Sequence, residues 1–163
     1  SFPVIYNHYA LHEGSAGAGQ MRGGFGLDYE LALRNGEARA SFVMDHGRFG
    51  PQGALGGSDG DVNKVVVLRD DATYVPKHLS KEQDIALTPG DRVWVRTPGG
   101  GGYGDPLQRS PGAVLEDVRL ERYTLLQARE LYGVVLLEHD DLLFVDEQAT
   151  EALRNQMKNI SKA

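Results

Sequence analysis

The chain contains no cysteine. That excludes disulfides, thiolate metal sites and a cysteine nucleophile. No apolar run approaches the roughly 20 residues that a membrane-spanning helix requires, and no basic segment followed by an apolar core marks a secretory leader. Positive charge is in short supply. Seventeen Lys and Arg stand against 23 Asp and Glu, giving a formal net charge of −6 at pH 7. A nucleic-acid binder would instead show a basic patch or stripe. Internal repeats are missing, as is any linker long enough to separate two independent domains. What remains is 163 residues, 40% hydrophobic and 25% charged, a composition close to globular averages and long enough to bury one core. A soluble, cytoplasmic protein that contacts neither nucleic acid nor membrane is expected.

Glycine, by contrast, is abundant. There are 21, most of them in the first two-thirds of the chain. The densest stretch is Thr97-Pro98-Gly99-Gly100-Gly101-Gly102-Tyr103-Gly104-Asp105-Pro106. Each glycine costs folding entropy, so such a concentration implies a required backbone shape. One reading is a corner where backbone packs on backbone. The other is an anion-binding nest of N–H groups. It is not a P-loop, since no Lys-Ser or Lys-Thr follows at the required spacing. Gly99, Gly101 and Gly104 match a dinucleotide fingerprint, but Asp105-Pro106 prevents a helix from opening there.

The hydrophobic pattern changes period along the chain. Candidate strands run over Val4 to Leu11, Leu27 to Leu33, Ala38 to Met44, Val62 to Leu68, Ala72 to Tyr74 and Arg92 to Arg96. In the second, Leu27, Tyr29, Leu31 and Leu33 share one face, the period-2 mark of a half-buried antiparallel strand. Asn35-Gly36 is a strong hairpin signal, which predicts pairing of Leu27–Leu33 with Ala38–Met44. From Pro111 the spacing of Val114, Leu115 and Val118 becomes helical, with Ser110 as N-cap and Pro111 at the first helical position. Thr124-Leu125-Leu126-Gln127 reads as a capping box and Gly133 as a helix stop. Val134 to Leu137 reads as a short extended run. Asp146 caps a last helix reaching about Lys158 with Ala149, Leu153 and Met157 as its stripe. The expected fold is mainly β, an antiparallel sandwich or barrel-like body over residues 1–105, with a helical C-terminal appendage over residues 106–163 packed on it, α+β overall.

The chemistry-bearing residues form no obvious constellation. His8 and His12 share a strand face but lie too far apart in an extended chain to chelate one ion easily. The adjacent acid pairs Asp70-Asp71, Glu116-Asp117 and Asp140-Asp141 point in different directions and read as solvated faces. No nucleophile elbow is present. Asp59-Gly60-Asp61 lacks the glutamate that would complete a calcium loop. No catalytic and no metal-ligating residue is assigned. The substrate- or partner-binding candidates are Arg22, on a glycine-rich turn from which its fork can grip a carboxylate or phosphate, His46 and Arg48 in a polar cluster after a strand, and Gly100, Gly101 and Tyr103 in the glycine loop, whose one large side chain is expected to anchor it.

Six pieces in order along the chain carry a resemblance. They are Phe2-Pro3-Val4; Gly14-Ser15-Ala16-Gly17-Ala18-Gly19 with Arg22-Gly23-Gly24-Phe25-Gly26-Leu27; Gly53-Ala54-Leu55-Gly56-Gly57; Leu87-Thr88-Pro89-Gly90-Asp91; Thr97 to Pro106; and Ala128 to Leu136. Together they resemble the C-terminal part of the hydantoinase B/5-oxoprolinase family, which includes acetone carboxylase α-subunits. The resemblance implies ATP-dependent opening of a cyclic amide of the hydantoin or 5-oxoproline type, or a related carboxylation of a ketone. It implies a hydantoinase A-type nucleotide-binding partner, the remainder of a B-type subunit, and an oligomeric assembly. It also implies ATP with magnesium, and a divalent metal held by His and Asp residues in an N-terminal portion that this chain does not contain. The chain itself is expected to bind no cofactor and to be a fragment, a proteolytic remnant, a separately encoded C-terminal piece or a stand-alone assembly module. Elemental analysis after dialysis against chelator should find zinc, manganese and iron well below one equivalent; a near-stoichiometric metal would overturn this expectation.

Overall fold

The structure, a computed structural model, describes residues 3–160. Seven strands come first: β1 (Val4–Leu11), β2 (Leu27–Leu33), β3 (Ala38–Val43), β4 (Lys64–Leu68), β5 (Thr73–Tyr74), β6 (Lys81–Leu87) and β7 (Arg92–Arg96). A 3-10 turn, Pro106–Gln108, leads to α1 (Pro111–Arg119) and α2 (Leu125–Tyr132). A hairpin of β8 (Leu136–His139) and β9 (Leu142–Val145) then leads to α3 (Glu147–Ile160).

Five strands form one antiparallel sheet in the order β1-β2-β7-β4-β5, and β3 pairs with β6 in a separate ribbon. Period-2 alternation decides how they stack. Leu33, Val65, Val67, Val93 and Val95 point to one face of the sheet and meet Ile85 and Leu87 of the ribbon, with Ala38, Ala40 and Phe42 against them. Fully burying each such aliphatic side chain contributes about 1.5–3 kcal/mol. The opposite face carries the charged residues, with Trp94 and Val66 among them: Asp28 stands opposite Arg96, and Glu30 opposite Trp94. The body is therefore a two-layer antiparallel stack and not a closed barrel, and with the helices the fold is α+β.

The expected hairpin across Asn35-Gly36 does not form. Gly36 does turn the chain, at φ 72°. But β2 is already bonded to β1 on one edge and to β7 on the other, so it has no edge left for β3. The turn instead carries the chain from the sheet to the ribbon, where β3 pairs with β6. Strand β6 carries little sequence signal because its first four residues are polar and only Ile85, Ala86 and Leu87 at its end are apolar. Its alternation is broken at Asp84, which has φ 60°, near the point where the β3–β6 register shifts.

The C-terminal elements follow their local signals. Thr124 Oγ1 accepts from the Gln127 N–H at 3.1 Å while Gln127 Oε1 accepts from the Thr124 N–H at 2.8 Å, a complete capping box. Gly133 ends α2 at φ 61°. Ser110 precedes α1 but makes no side-chain cap; Pro111 sets the start. The run Val134–Leu137 straddles the start of β8. These elements enclose a second core of Val114, Val118, Tyr123, Ala128, Tyr132 and Val134, with Phe25 and Ala18 from the first part of the chain.

Between the two cores lie three glycine-rich segments, residues 14–26, 50–60 and 97–105, packed backbone against backbone. Gly17 N–H donates to Gly100 O and Gly100 N–H to Gly24 O, both at 2.9 Å; Gly102 N–H donates to Ser58 O and Ser58 N–H to Ala18 O, both at 2.8 Å; Ala54 N–H donates to Gly102 O at 2.9 Å. None of Gly99, Gly100, Gly101 and Gly102 has a positive φ; the glycines are there for closeness. A Cβ on Gly99 would sit 1.9 Å from Ser15 O, on Gly101 2.1 Å from Gln52 O, on Gly102 2.0 Å from Ala18 O, and on Gly23 1.9 Å from Gly100 O. The corner reading of the loop is the one realised. The nest reading loses most of its donors, because the amides of Gly100, Gly102, Tyr103 and Gly104 are all bonded to carbonyls.

Gly99→Ala, Gly101→Ala and Gly102→Ala should each lower stability by about 1–3 kcal/mol, the usual cost of overpacking. Gly24→Ala should be nearly neutral, since a Cβ there meets nothing within 4 Å. Thermal melts of the four variants check this contrast.

Candidate functional site

The glycine junction ends in a charged knot. Asp117, on α1, is 3% exposed. Arg22 grips it with both arms of its fork, Nε to Oδ2 and NH2 to Oδ1, each at 3.0 Å. Arg109 adds a bond to Oδ2 at 2.8 Å and Arg122 one to Oδ1 at 3.3 Å. The Arg22 guanidinium also lies 4.8 Å from the Phe25 ring centroid. Burial alone would push the Asp117 carboxyl upward, but the Arg22 bond and charge, the Arg122 bond and the Arg109 charge outweigh it and hold the group below the ordinary aspartate range.

Arg22 therefore does what a fork on a glycine-rich turn can do, but its carboxylate is Asp117 of the same chain. Asp117 is also a correction: of the acid pairs read as solvated, Asp70, Asp71, Asp140 and Asp141 are exposed, whereas Asp117 is buried among three arginines. Adjacent acids on a helix do face different ways, and α1 turns Glu116 outward and Asp117 inward. Gly100 and Gly101 sit inside the junction. Tyr103 bridges it by backbone, to Met21 on one side and Ala54 on the other, but its ring is 51% exposed. The anchoring expected of that ring is done by the backbone.

His12 is a feature the sequence did not reveal. It is 2% exposed, at the point where the first glycine segment leaves β1. Its Nδ1 lies 2.9 Å from the Thr97 carbonyl. A carbonyl only accepts, so Nδ1 carries a proton. Nε2 faces Asp61 Oδ2 at 3.4 Å. Ser15 beneath it is fully buried, donating to His12 O at 2.6 Å and accepting from Gly26 N–H at 2.9 Å. These bonds tie all three glycine segments together at one end. The signal available was a histidine beside a glycine run, too common to single out. His8, by contrast, lies on the polar face of the sheet, 3.7 Å from Asp28, so the two histidines do not converge. Asp28 itself takes Trp94 Nε1–H and Arg96 Nε–H, both at 2.7 Å.

His46 and Arg48 lie elsewhere, at the end of the β3–β6 ribbon. They line an open depression of about 570 Å³ with Phe49, Lys77, His78 and Lys81. Neither Arg22, Gly100, Gly101 nor Tyr103 lines it. His46 holds a left-handed turn at φ 63° with Nδ1 3.2 Å from Phe49 O. Lys81 Nζ is paired with Asp45 at 2.6 Å, and Arg48 projects into solvent. The six candidates thus divide between an internal junction and a basic surface depression. Among the described residues, no group of three or more His, Asp or Glu could hold a metal ion, and no helix is long and apolar enough to cross a membrane.

Known proteins place this architecture. The family model for hydantoinase B/oxoprolinase matches residues 1–106. The caprolactamase subunit beta of Pseudomonas jessenii is 37% identical over 161 residues, covering 94% of this chain and 26% of that protein. The solved structure of the ATP-dependent caprolactamase from the same organism superimposes with a TM-score of 0.72 at 32% identity, over 94% of this chain and 26% of that one. An uncharacterized protein of Methanocaldococcus jannaschii is 34% identical over 153 residues, again 94% of this chain and 26% of the relative. A nucleotide-free acetone carboxylase structure shares the fold, with a TM-score of 0.76 at 22% identity over 99% of this chain and 26% of that one. The chain spans about a quarter of the length of each.

Asp117→Asn should destabilise the chain by about 3–5 kcal/mol, the cost of breaking a buried ion pair from one side, toward the lower figure because Arg122 is 36% exposed. Because the folded carboxyl titrates below its unfolded value, its contribution is full above about pH 4 and is lost as pH falls through the folded value. Acid titrations of stability should therefore show a low-pH loss in the parent that is flattened in the variant.

Proposed function

This chain belongs to the hydantoinase B/oxoprolinase family, and on that premise we propose that it is the C-terminal region of a B-type subunit that opens a cyclic amide at the expense of ATP together with a hydantoinase A-type partner. The observation that carries the reading is the 37% identity to a caprolactamase subunit, sustained across 94% of this chain. The solved structure from the same organism is that of an ATP-dependent caprolactamase. The acetone carboxylase match, at 22% identity, speaks for the shared fold and does not favour carboxylation of a ketone.

Within that reaction the chain's own part is a rigid wall and a docking surface. The amides of Gly100, Gly102, Tyr103 and Gly104 are committed to carbonyls, and Asp117 holds the fork of Arg22, which leaves little of either to grip a phosphate. ATP, magnesium and any divalent metal are accordingly assigned to the partner and to the rest of the subunit, with no step routed through residues of this chain. His46 and Arg48 keep a binding role. Arg48 and Lys77 are exposed cations in one depression on a chain of net charge −6, and arginine beside an exposed aromatic such as Phe49 suits a protein interface. We assign this depression to the A-type partner.

The purified 163-residue chain, supplied with ATP, should turn over caprolactam, hydantoin and 5-oxoproline no faster than a boiled control; turnover by the chain alone would overturn the wall reading. In the complete subunit, Arg48→Glu combined with Lys77→Glu should weaken association with the A-type partner at least about tenfold, as charge reversal at an interface costs more than one decade. Unchanged association would remove the depression from the interface.

A further inference from the structure

The longest open edge of the sheet has no protection. Strand β1 is eight residues long, and every one of them is exposed. Its sequence, Val-Ile-Tyr-Asn-His-Tyr-Ala-Leu, contains no lysine, arginine, aspartate, glutamate or proline. Natural sheets guard free edges with charge, proline, brevity or a covering element. The other edge of this sheet follows that rule, since β5 has two residues. Among the described residues no strand pairs with the outer edge of β1.

The register adds a second observation. A shift between Tyr6 and His8 leaves Asn7 as the extra residue, and its amide is engaged with Glu30 at 2.9 Å. Tyr6 and Tyr9, three apart, consequently stand on one face. Their rings gather with Tyr29 at centroid separations of 5.5–6.0 Å. Tyr6 is 57% and Tyr9 60% exposed. Val4 and Leu11 extend the same face, opposite Leu33 and Leu27. A bulge is a common way to twist an edge away from partners; this one instead collects aromatic surface beside an unpaired backbone.

We propose that an extended segment of the B-type subunit, from the part that this chain does not contain, adds as a further strand on the outer edge of β1 and lays apolar side chains over Tyr6, Tyr9 and Leu11. Main-chain bonds would supply affinity and the tyrosine face would supply register. Length and charge point to this occupant. The relatives are about four times as long as this chain, which spans 26% of them. A second copy of the chain, also at −6, offers no charge complementarity. The inference rests on the family reading above.

The test is tyrosine nitration with tetranitromethane, read by mass spectrometry, on the 163-residue chain and on the complete subunit. Tyr132, fully buried, reports unfolding and should stay unmodified in both. Tyr6 and Tyr9 should react at least about tenfold more slowly in the complete subunit, and amide exchange along β1 should slow with them. Equal reactivity and equal exchange in the two proteins would overturn the proposal. So would a chain that dimerises on its own with Tyr6 and Tyr9 shielded, which would assign the edge to a second copy. A complete subunit that shields both tyrosines but opens no cyclic amide would leave this proposal standing and remove the reaction instead.

Discussion

The structure depends on three stretches of backbone approaching one another more closely than any side chain allows. Segments 14–26, 50–60 and 97–105 touch at distances where a methyl group would fall about 2 Å from a carbonyl oxygen. Interiors normally fill such space with side chains; here it is filled by peptide groups hydrogen-bonded across segments. Glycine is costly in the unfolded-state ledger, and the cost is offset by hydrogen bonds that would otherwise be left to water. The cross-links are distributed, so no single loop can move without breaking bonds to the other two.

Everything on either side takes its position from that junction. On one side, Leu27 and Thr97 lead from it directly into the adjacent strands β2 and β7, with Leu27 N–H bonded to Thr97 Oγ1 at 2.7 Å and His12 bonded to the Thr97 carbonyl. On the other side, Arg22 and Arg109 carry it to Asp117 on α1, and Ala18 and Phe25 pack into the helical core. Arg154 closes the far end, donating to Tyr132 O and Arg109 O at 3.0 and 2.7 Å. A domain fixed in this way suits the wall of a site whose reactive groups arrive from other polypeptide. Its exposed features, the basic depression and the bare edge of β1, both lie away from the junction's interior.

Much of this was legible in the sequence where the determinant is local. The strands at Leu27–Leu33 and Arg92–Arg96 follow from alternation, and the capping box at Thr124 and the stop at Gly133 follow from residue type. The glycine run announced a backbone constraint, and its family resemblance placed it. Pairing was less legible. Asn35-Gly36 specifies a turn but cannot report that β2 has both edges taken, because that depends on β7, some sixty residues away. Asp117 and His12 were hidden for a related reason. Nothing beside Asp117 in sequence shows that Arg22, Arg109 and Arg122 converge on it, and nothing beside His12 shows Thr97 and Asp61. Long-range polar partners are set by the packed fold, and only a short-range echo of them survives in the chain.

The central claim is that the glycine stretch is packed interior and not an open loop. Residue-resolved hydrogen exchange tests it most directly. The amides of Gly17, Gly100, Gly102, Tyr103 and Gly104 all donate to carbonyls of a neighbouring segment. They should exchange as slowly as those of Val65 and Val93 in the central sheet, through opening of the whole structure. Exchange as fast as at the exposed turn around Gly36 would contradict the account.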